Sequence, residues 1–257
     1  MKRTVLPNLT ISCLLFAVFL MGLSFNTKPV KASGTIYIRP DGSIDPPDAP
    51  ISTVDNVTYT LTGNITSDAD GIVVERSNII IDGAGFMVES AHAGTKGIDL
   101  SGMANVTIKN VNVKRFYDGI CFYDSSNNTI IGNNITNNYY GIFLEASSNN
   151  VIFHNNFINN TKQVHDLSWS YPQLHPSINV WDNGFSSGGN YWSDYEERYP
   201  DATEINHSGI WDTPYVIDSN NIDHYPMIPE FPSPIILPLL TIATLLAVTV
   251  YTRKHII

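Results

Sequence analysis

The sequence predicts an all-β protein that folds as a parallel β-helix, a solenoid in which every coil contributes short strands. The first observation is a repeat of 22 residues that runs through residues 105–160. The repeat places glycines that open a Gly-Ile-x-hydrophobic segment at Gly97, Gly119 and Gly141. It also places isoleucines at Ile108, Ile130 and Ile152. A fixed period of this length is typical of solenoid proteins.

The second observation is that apolar residues alternate with other residues inside each repeat, as Ile120 and Phe122 do. This alternation is the periodicity of a β-strand and not that of a helix. Hydrogen-bonded strands lie ~4.8 Å apart, so residues 22 positions apart should stack directly on one another. We therefore expect apolar columns inside the coil and asparagine ladders at its bends, where Asn tolerates a left-handed backbone.

The chain divides where the repeat stops. Residues 34–165 are expected to form the β-helix, and residues 166–231 to form an aromatic C-terminal module. All four tryptophans lie in this module: Trp169, Trp181, Trp192 and Trp211. We expect the module to cap the last coil, because an open solenoid end would expose strand edges and apolar columns.

The Asn-rich repeats, with their Gly-Ile-x-hydrophobic segments, resemble the right-handed parallel β-helix of pectin-lyase-like proteins. More narrowly, they resemble the CASH family of carbohydrate-binding proteins and sugar hydrolases, which includes the NosD-type periplasmic copper-maturation proteins. The resemblance implies a right-handed coil. It also implies a function in carbohydrate binding, in sugar hydrolysis or in copper handling.

The C-terminal module contains the segments Gly188-Gly-Asn-Tyr-Trp-Ser-Asp-Tyr195 and Asp212-Thr-Pro-Tyr215. They resemble a module of archaeal NosD-like surface proteins, in which an acidic, glycine-rich loop similar to a calcium loop separates the two segments. The resemblance implies calcium as a cofactor, with four candidate ligands at Asp194, Asp201, Glu204 and Asp212. The interval in this chain lacks the alternating Asp and Gly spacing of such loops.

The N-terminal residues 1–33 are expected to form a signal peptide. Lys2 and Arg3 precede an apolar run over residues 11–23, and small residues around Ala32 and Ser33 suit cleavage. A membrane-anchoring helix is the alternative for this segment.

The C-terminal residues 232–252 are expected to form a transmembrane anchor, followed by a cytoplasmic tail at 253–257. The stretch 235–251 has no charged residue and about the minimum length for a span, and Arg253 and Lys254 follow it. The bulk of the protein should therefore lie at the cell surface. The Pro-Glu-Phe-Pro segment at 229–232 resembles archaeal PEF-type sorting signals, which implies that a sortase-like enzyme replaces the helix by a lipid.

The charge of the mature chain excludes nucleic acid as a partner. Six of the 14 basic residues lie in the terminal segments, so eight remain against 24 acidic residues, a net charge of −16. Such a surface repels polyanions. One cysteine, Cys121, remains after removal of the signal peptide, so the sequence predicts neither an internal disulfide nor a thiolate metal site.

Sequons of the Asn-x-Ser/Thr type are candidate glycan sites in a secreted chain. They lie at Asn56, Asn64, Asn105, Asn127, Asn134, Asn159 and Asn206. An Asn- and Thr-rich repeat also generates such sequons by composition alone, so we expect only some to be used.

A strip of aromatic and acidic residues at outward positions is the candidate binding surface. It comprises Tyr117, Asp118, Tyr123, Asp124, Tyr139, Tyr140, Phe143 and Glu145. Aromatic faces stack on sugar rings and carboxylates accept hydrogen bonds from sugar hydroxyls, so the strip predicts a surface for cell-surface or extracellular glycans. The alternative is that these residues only cover the outer strand face.

Catalysis would require a second feature that the repeat does not supply. Glycoside hydrolysis needs two carboxyl groups ~5–9.5 Å apart, yet Asp118 should stack on Tyr140 and Asp99 on Cys121. The sequence therefore favours a non-catalytic protein, with a polysaccharide hydrolase or lyase as the alternative.

Copper handling and a purely structural role are the remaining hypotheses. Copper prefers clusters of Met, His or Cys, but Met87, Met103 and Met227 are far apart and the histidines have no paired spacing. The residues thus disfavour copper. A rigid, acidic rod at the membrane could instead be an envelope scaffold, since fold alone does not decide function.

Overall fold

The computed structural model describes residues 34–92, 95–171 and 173–229. The predicted signal peptide, membrane anchor and cytoplasmic tail therefore lie outside the described residues. Within the described part of the chain, no helix is long and apolar enough to cross a membrane. All of the described residues belong to one compact unit.

The chain forms a parallel β-helix of about five turns, in which each coil adds one short strand to each of three sheets. Sheet 1 contains β1 (Ile36–Ile38), β2 (Ile44–Asp45), β6 (Ile72–Val74), β9 (Lys96–Asp99), β12 (Asp118–Tyr123), β15 (Tyr140–Glu145) and β18 (Lys162–Asp166). Sheet 2 contains β3 (Ile51–Ser52), β4 (Thr58–Leu61), β7 (Ile80–Asp82), β10 (Thr107–Lys109), β13 (Thr129–Ile131) and β16 (Val151–Phe153). Sheet 3 contains β5 (Ile65–Ser67), β8 (Met87–Ser90), β11 (Asn112–Lys114), β14 (Asn134–Thr136), β17 (Asn156–Ile158) and β19 (Tyr191–Trp192).

The interior is filled by apolar columns, as the 22-residue repeat predicts. Ile108 pairs with Ile130, Ile130 pairs with Ile152, and all three side chains are fully buried. Sheet 1 contributes a similar column from Ile98, Ile120 and Ile142. Burial of each such side chain stabilises the fold by roughly 1.5–3 kcal/mol relative to its exposure. The predicted parallel β-helix is therefore confirmed.

Buried asparagine columns occupy the three bends between the sheets. At the bend between sheets 2 and 3, Asn133 Nδ2 donates to Asn155 Oδ1 at 2.9 Å, and Asn155 Nδ2 donates to Asn190 Oδ1 at 3.0 Å. At the bend between sheets 3 and 1, Asn138 Nδ2 donates to Asn160 Oδ1 at 3.1 Å. These side chains satisfy backbone groups that the strands leave unpaired, so the predicted ladders are present inside the coil.

The predicted left-handed bends are present as well. Asn137 and Asn159 occupy equivalent positions one coil apart, with φ angles of 56° and 54°. Asn tolerates this conformation better than other residues that carry a Cβ atom. The Asn-Asn pairs therefore have two separate tasks, one residue making the turn and the next one filling the ladder.

The C-terminal module continues the rod beyond the last regular coil. It contains helix α1 (Leu167–Ser170), helix α2 (Tyr195–Arg198) and an antiparallel hairpin of β20 (Tyr215–Asp218) and β21 (Asn221–Asp223). Trp192 of β19 stacks on Phe157 at 4.4 Å, and Tyr215 stacks on Trp192 at 4.2 Å. The apolar column of sheet 3 thus ends under aromatic rings rather than in solvent.

Candidate functional site

The bend between sheets 3 and 1 carries an outward column of four residues, which we call the corner column: Thr95, Tyr117, Tyr139 and Thr161. These residues are 22 positions apart and directly precede β9, β12, β15 and β18. Parallel-strand hydrogen bonds fix the register, since Tyr140 N donates to Tyr117 O at 2.7 Å and Lys162 N donates to Tyr139 O at 2.9 Å. The repeat therefore places two tyrosines in the middle of the column and a threonine at each end.

The two tyrosines of the corner column stack on one another. Their ring centroids are 4.7 Å apart and their planes differ by 13°. Tyr117 is 50% exposed and Tyr139 is 45% exposed, even though each ring covers one face of the other. Each tyrosine consequently has one ring face that its stacking partner does not cover.

Sheet 1 adds a second aromatic group beside the corner column. Tyr140 packs edge-on against Tyr139 at 4.7 Å and stacks on His165 at 4.4 Å, and Phe143 lies 5.8 Å from His165. Burial and the charge of Lys162 lower the pKa of His165, which favours the neutral form of this ring. Tyr140 and His165 thus support the column from the side.

Asp118 begins β12 and lies in the same outward column of sheet 1 as Lys96 and Tyr140. Its side chain is buried, and among the described residues its Oδ1 is the one buried side-chain polar atom that lacks a hydrogen-bond partner. Burial raises the pKa of Asp118 to about 6; Lys96 opposes this shift, and Asp99 and Asp70 add to it. An unpaired buried carboxylate is costly, which favours the protonated acid.

The other carboxylates near Asp118 are already occupied. Asp99 forms an ion pair with Lys96 at 2.8 Å and accepts a hydrogen bond from Ser101 N at 3.0 Å. Asp70 accepts hydrogen bonds from Lys96 N at 2.9 Å and from the hydroxyl of Thr95. The predicted stacking of Asp118 on Tyr140 and of Asp99 on Cys121 is confirmed by the strand register.

The eight residues of the predicted strip fall into two groups. Tyr117, Asp118, Tyr139, Tyr140 and Phe143 lie together at the corner column and the adjoining part of sheet 1. Tyr123, Asp124 and Glu145 lie at the opposite end of β12 and β15, where Tyr123 pairs with Glu145. Five further residues belong to this surface but not to the predicted strip: Thr95, Lys96, Thr161, Lys162 and His165. Each lies 22 positions from a residue of the strip, so the repeat is the signal that identifies them.

A cleft opens where the corner column ends, and we call it the end cleft. It has a volume of roughly 360 Å³ and is lined by Thr161, Lys162, Gln163, Asp194, Arg198 and Tyr215, among others. Lys162 is exposed, whereas Arg198 Nη2 donates to Val216 O at 2.8 Å and its guanidinium lies over Tyr215. The cleft therefore offers both hydrogen-bond donors and hydrogen-bond acceptors beside Thr161, at the end of the corner column.

Three of the four candidate calcium ligands have separate partners. Asp194 accepts hydrogen bonds from Tyr215 OH at 2.9 Å and from Gln163 Nε2 at 3.0 Å. Asp212 accepts from Thr203 Oγ1 at 2.7 Å, and Glu204 accepts from Gly209 N at 2.8 Å. Asp201 is exposed in a turn. Residues 34–92, 95–171 and 173–229 contain no group of three or more His, Cys, Asp or Glu side chains placed to hold a metal ion.

The sequons differ in how their side-chain amides are engaged. Asn134 Nδ2 donates to Asn112 Oδ1 at 2.6 Å, and Asn134 Oδ1 accepts from Asn156 Nδ2 at 2.7 Å. Asn64 Oδ1 accepts from Met87 N at 3.0 Å. The other five sequon asparagines are exposed and have left-handed backbones: Asn56, Asn105, Asn127, Asn159 and Asn206.

Comparison with known proteins identifies one family. A family model described as "Periplasmic copper-binding protein (NosD)" matches residues 40–197. No curated protein and no solved structure matches the chain.

Proposed function

Because this chain belongs to the NosD family of β-helix proteins, we propose that it acts outside the cytoplasm as a carbohydrate-binding protein, with the corner column as its binding surface. The proposal includes the secretion and cell-surface anchoring expected from the terminal segments. It assigns no catalytic step to the chain.

One observation carries this proposal: two tyrosines on adjacent coils are about half exposed beside a buried, unpaired carboxyl group. An exposed ring that keeps an open face can stack on the C–H face of a pyranose, and such contacts supply large buried area. The polar groups of Lys162 and Asp194 nearby could orient the hydroxyls of a sugar. Aromatic surface combined with a few polar groups is the usual composition of a small-ligand site.

The residues that the structure describes do not fit the copper that the family description names. The described residues hold no cluster of three or more His, Cys, Asp or Glu side chains able to ligate a metal. Burial raises the pKa of Cys121 to about 12, which keeps the thiol protonated and poorly suited to metal binding. Met87 lies in β8, Met103 contacts Ser77, and Met227 packs against Gly188, so the methionines belong to separate parts of the rod. We therefore propose no copper-dependent step.

Hydrolysis of a polysaccharide has weaker support than binding. Asp118 has the raised pKa of a general acid, at about 6, but the nearby Asp99 is held in an ion pair by Lys96. A hydrolase needs a second carboxyl group that is free to act as a nucleophile or base. Glycan binding without turnover is the function that this geometry favours.

The test is a glycan array probed with the full-length protein, followed by a reducing-sugar assay on every glycan that binds. We expect retention by the wild type, loss of retention by the Tyr117→Ala/Tyr139→Ala variant, and no release of reducing ends. Tyr171→Ala is the matched control, because Tyr171 is also 50% exposed but follows α1, outside the corner column. Equal retention by wild type and double variant, or turnover of a bound glycan, would contradict the proposal.

A further inference from the structure

The corner column has a threonine, Thr161, at the position where a third aromatic ring would continue the stack of Tyr117 and Tyr139. This position leaves room for a ligand. The parallel strands continue through this position, since Thr161 N donates to Asn138 O at 3.0 Å. Thr161 therefore stands one hydrogen-bonded step beyond Tyr139, in the place where a third stacked ring would sit. Its short side chain is exposed and leaves that place open to solvent.

Since the two tyrosine rings are nearly parallel and lie on successive coils, we infer that the face of Tyr139 left uncovered by Tyr117 is directed toward Thr161. Tyr117 covers the other face of the ring at 4.7 Å, and Tyr139 remains 45% exposed. Successive coils are ~4.8 Å apart, which nearly equals the separation of the two tyrosine rings. A flat ring bound over Thr161 would thus extend the stack with the same spacing.

The end cleft begins at the same position. Thr161 and Lys162 line it together with Gln163, Asp194 and Arg198. Tyr215, Gln163 and an ion pair with Arg198 at 3.9 Å engage the carboxylate of Asp194, whose two oxygens together can accept about four hydrogen bonds. Lys162 supplies an exposed ammonium group. A chain of sugars that starts on Tyr139 would meet hydrogen-bonding partners for its hydroxyls there.

We propose that one pyranose ring of a β-linked, gluco-configured oligosaccharide stacks on Tyr139 over Thr161, and that the neighbouring sugar units enter the end cleft. The inference rests on the proposed carbohydrate-binding function and names its subsite and its sugar class. The stack favours the β-gluco configuration, because its substituents, the β-glycosidic bond included, are all equatorial and leave both C–H faces flat, whereas an axial hydroxyl obstructs one of the two faces. The cleft, at roughly 360 Å³, is within the size range of small-ligand sites.

The deciding variant is Thr161→Tyr in the full-length protein, with cellopentaose as the probe and titration calorimetry as the measurement. The new tyrosine would complete the aromatic stack and occupy the ligand's place, so we expect at least a tenfold rise in Kd. Val54→Tyr is the matched control, because Val54 is also exposed at a bend but lies outside the corner column. It adds an exposed ring away from the proposed subsite and should change the Kd by less than twofold.

Thermal unfolding of each variant shows whether it folds. Thr161→Arg places a long flexible side chain at the same exposed bend, and it should weaken cellopentaose binding even if Thr161→Tyr fails to fold. Unchanged cellopentaose binding by a folded Thr161→Tyr variant would overturn the subsite, as would loss of binding by Val54→Tyr alone. Wild-type binding to other array glycans but not to cellopentaose would overturn the sugar class and leave the proposed function standing. Absence of binding to every glycan would overturn both.

Discussion

Replacement of Asn133 by alanine tests whether the buried asparagine ladders hold the coils together. Asn133 is fully buried, and four hydrogen bonds of 2.9–3.0 Å join it to Val111 N, Ile108 O and Asn155 Oδ1. Alanine keeps only the bond from its own backbone N–H. The N–H of Val111 and the carbonyl of Ile108 then lose a partner where water cannot replace it.

The expected cost follows from those two groups. A buried N–H left unpaired costs ~1–3 kcal/mol. The lost bond to the carbonyl of Ile108 and a small cavity add to this cost, so the variant should lower the free energy of unfolding by roughly 3–5 kcal/mol. Asn134 is the matched control, because this next residue belongs to a partly exposed ladder on the outside of sheet 3. Water can replace its two amide bonds, so Asn134→Ala should cost about 1 kcal/mol or less.

Urea unfolding followed by circular dichroism measures both variants. A shift of the midpoint at constant slope reports a change in stability. Equal losses for Asn133→Ala and Asn134→Ala would refute the reasoning, because they would show that the buried ladder contributes no more than its solvent-exposed counterpart.

Three further changes probe the interior and the site. Ile130→Ala should destabilise the protein by about 2–5 kcal/mol in urea unfolding, because Ile130 is fully buried in the middle of its column; a loss below about 1 kcal/mol would contradict the packed interior. Gly119→Ala should abolish cooperative unfolding or lower its midpoint strongly, because the added Cβ would lie 2.5 Å from Gly141 O; a wild-type midpoint would contradict the close approach of β12 to β15. Asp118→Asn should raise the melting temperature above pH 6 and leave it unchanged near pH 4. Folding raises the pKa of Asp118 from 3.8 to about 6. The contribution of Asp118 to the free energy of unfolding is therefore complete below pH 3.8 and is lost as the pH rises through 6. An equal difference in melting temperature between variant and wild type at both pH values would contradict this pKa shift.

The fold was predictable because the chain repeats without insertions over its central coils. A 22-residue step relates Ile108 to Ile130 and Asn138 to Asn160, so the sequence determines which residues stack. The continuation of the rod into the C-terminal module was harder to predict. Asn155 stacks on Asn190, which lies 35 residues later in the chain. Because loops of irregular length separate the strands in this part, the 22-residue period is no longer visible in the sequence.

The site was predictable only in part, for a similar reason. The repeat places Tyr117 and Tyr139 on one column, and their exposure follows from their outward position. The repeat alone cannot show that the two rings stack face to face, so that each ring covers one face of the other. The end cleft is lined in part by Asp194 and Arg198. These residues lie in the C-terminal module, where the 22-residue period no longer relates one residue to the next.

Contacts between sugar protons and tyrosine ring protons would test the central claim most directly. With selectively ring-labelled tyrosine, the full-length protein bound to cellopentaose should give intermolecular nuclear Overhauser effects to Tyr139. Tyr123 and Tyr171, which are equally exposed elsewhere on the rod, should give none. Effects confined to Tyr123 or Tyr171, or a bound sugar with no contact to Tyr139, would contradict the account.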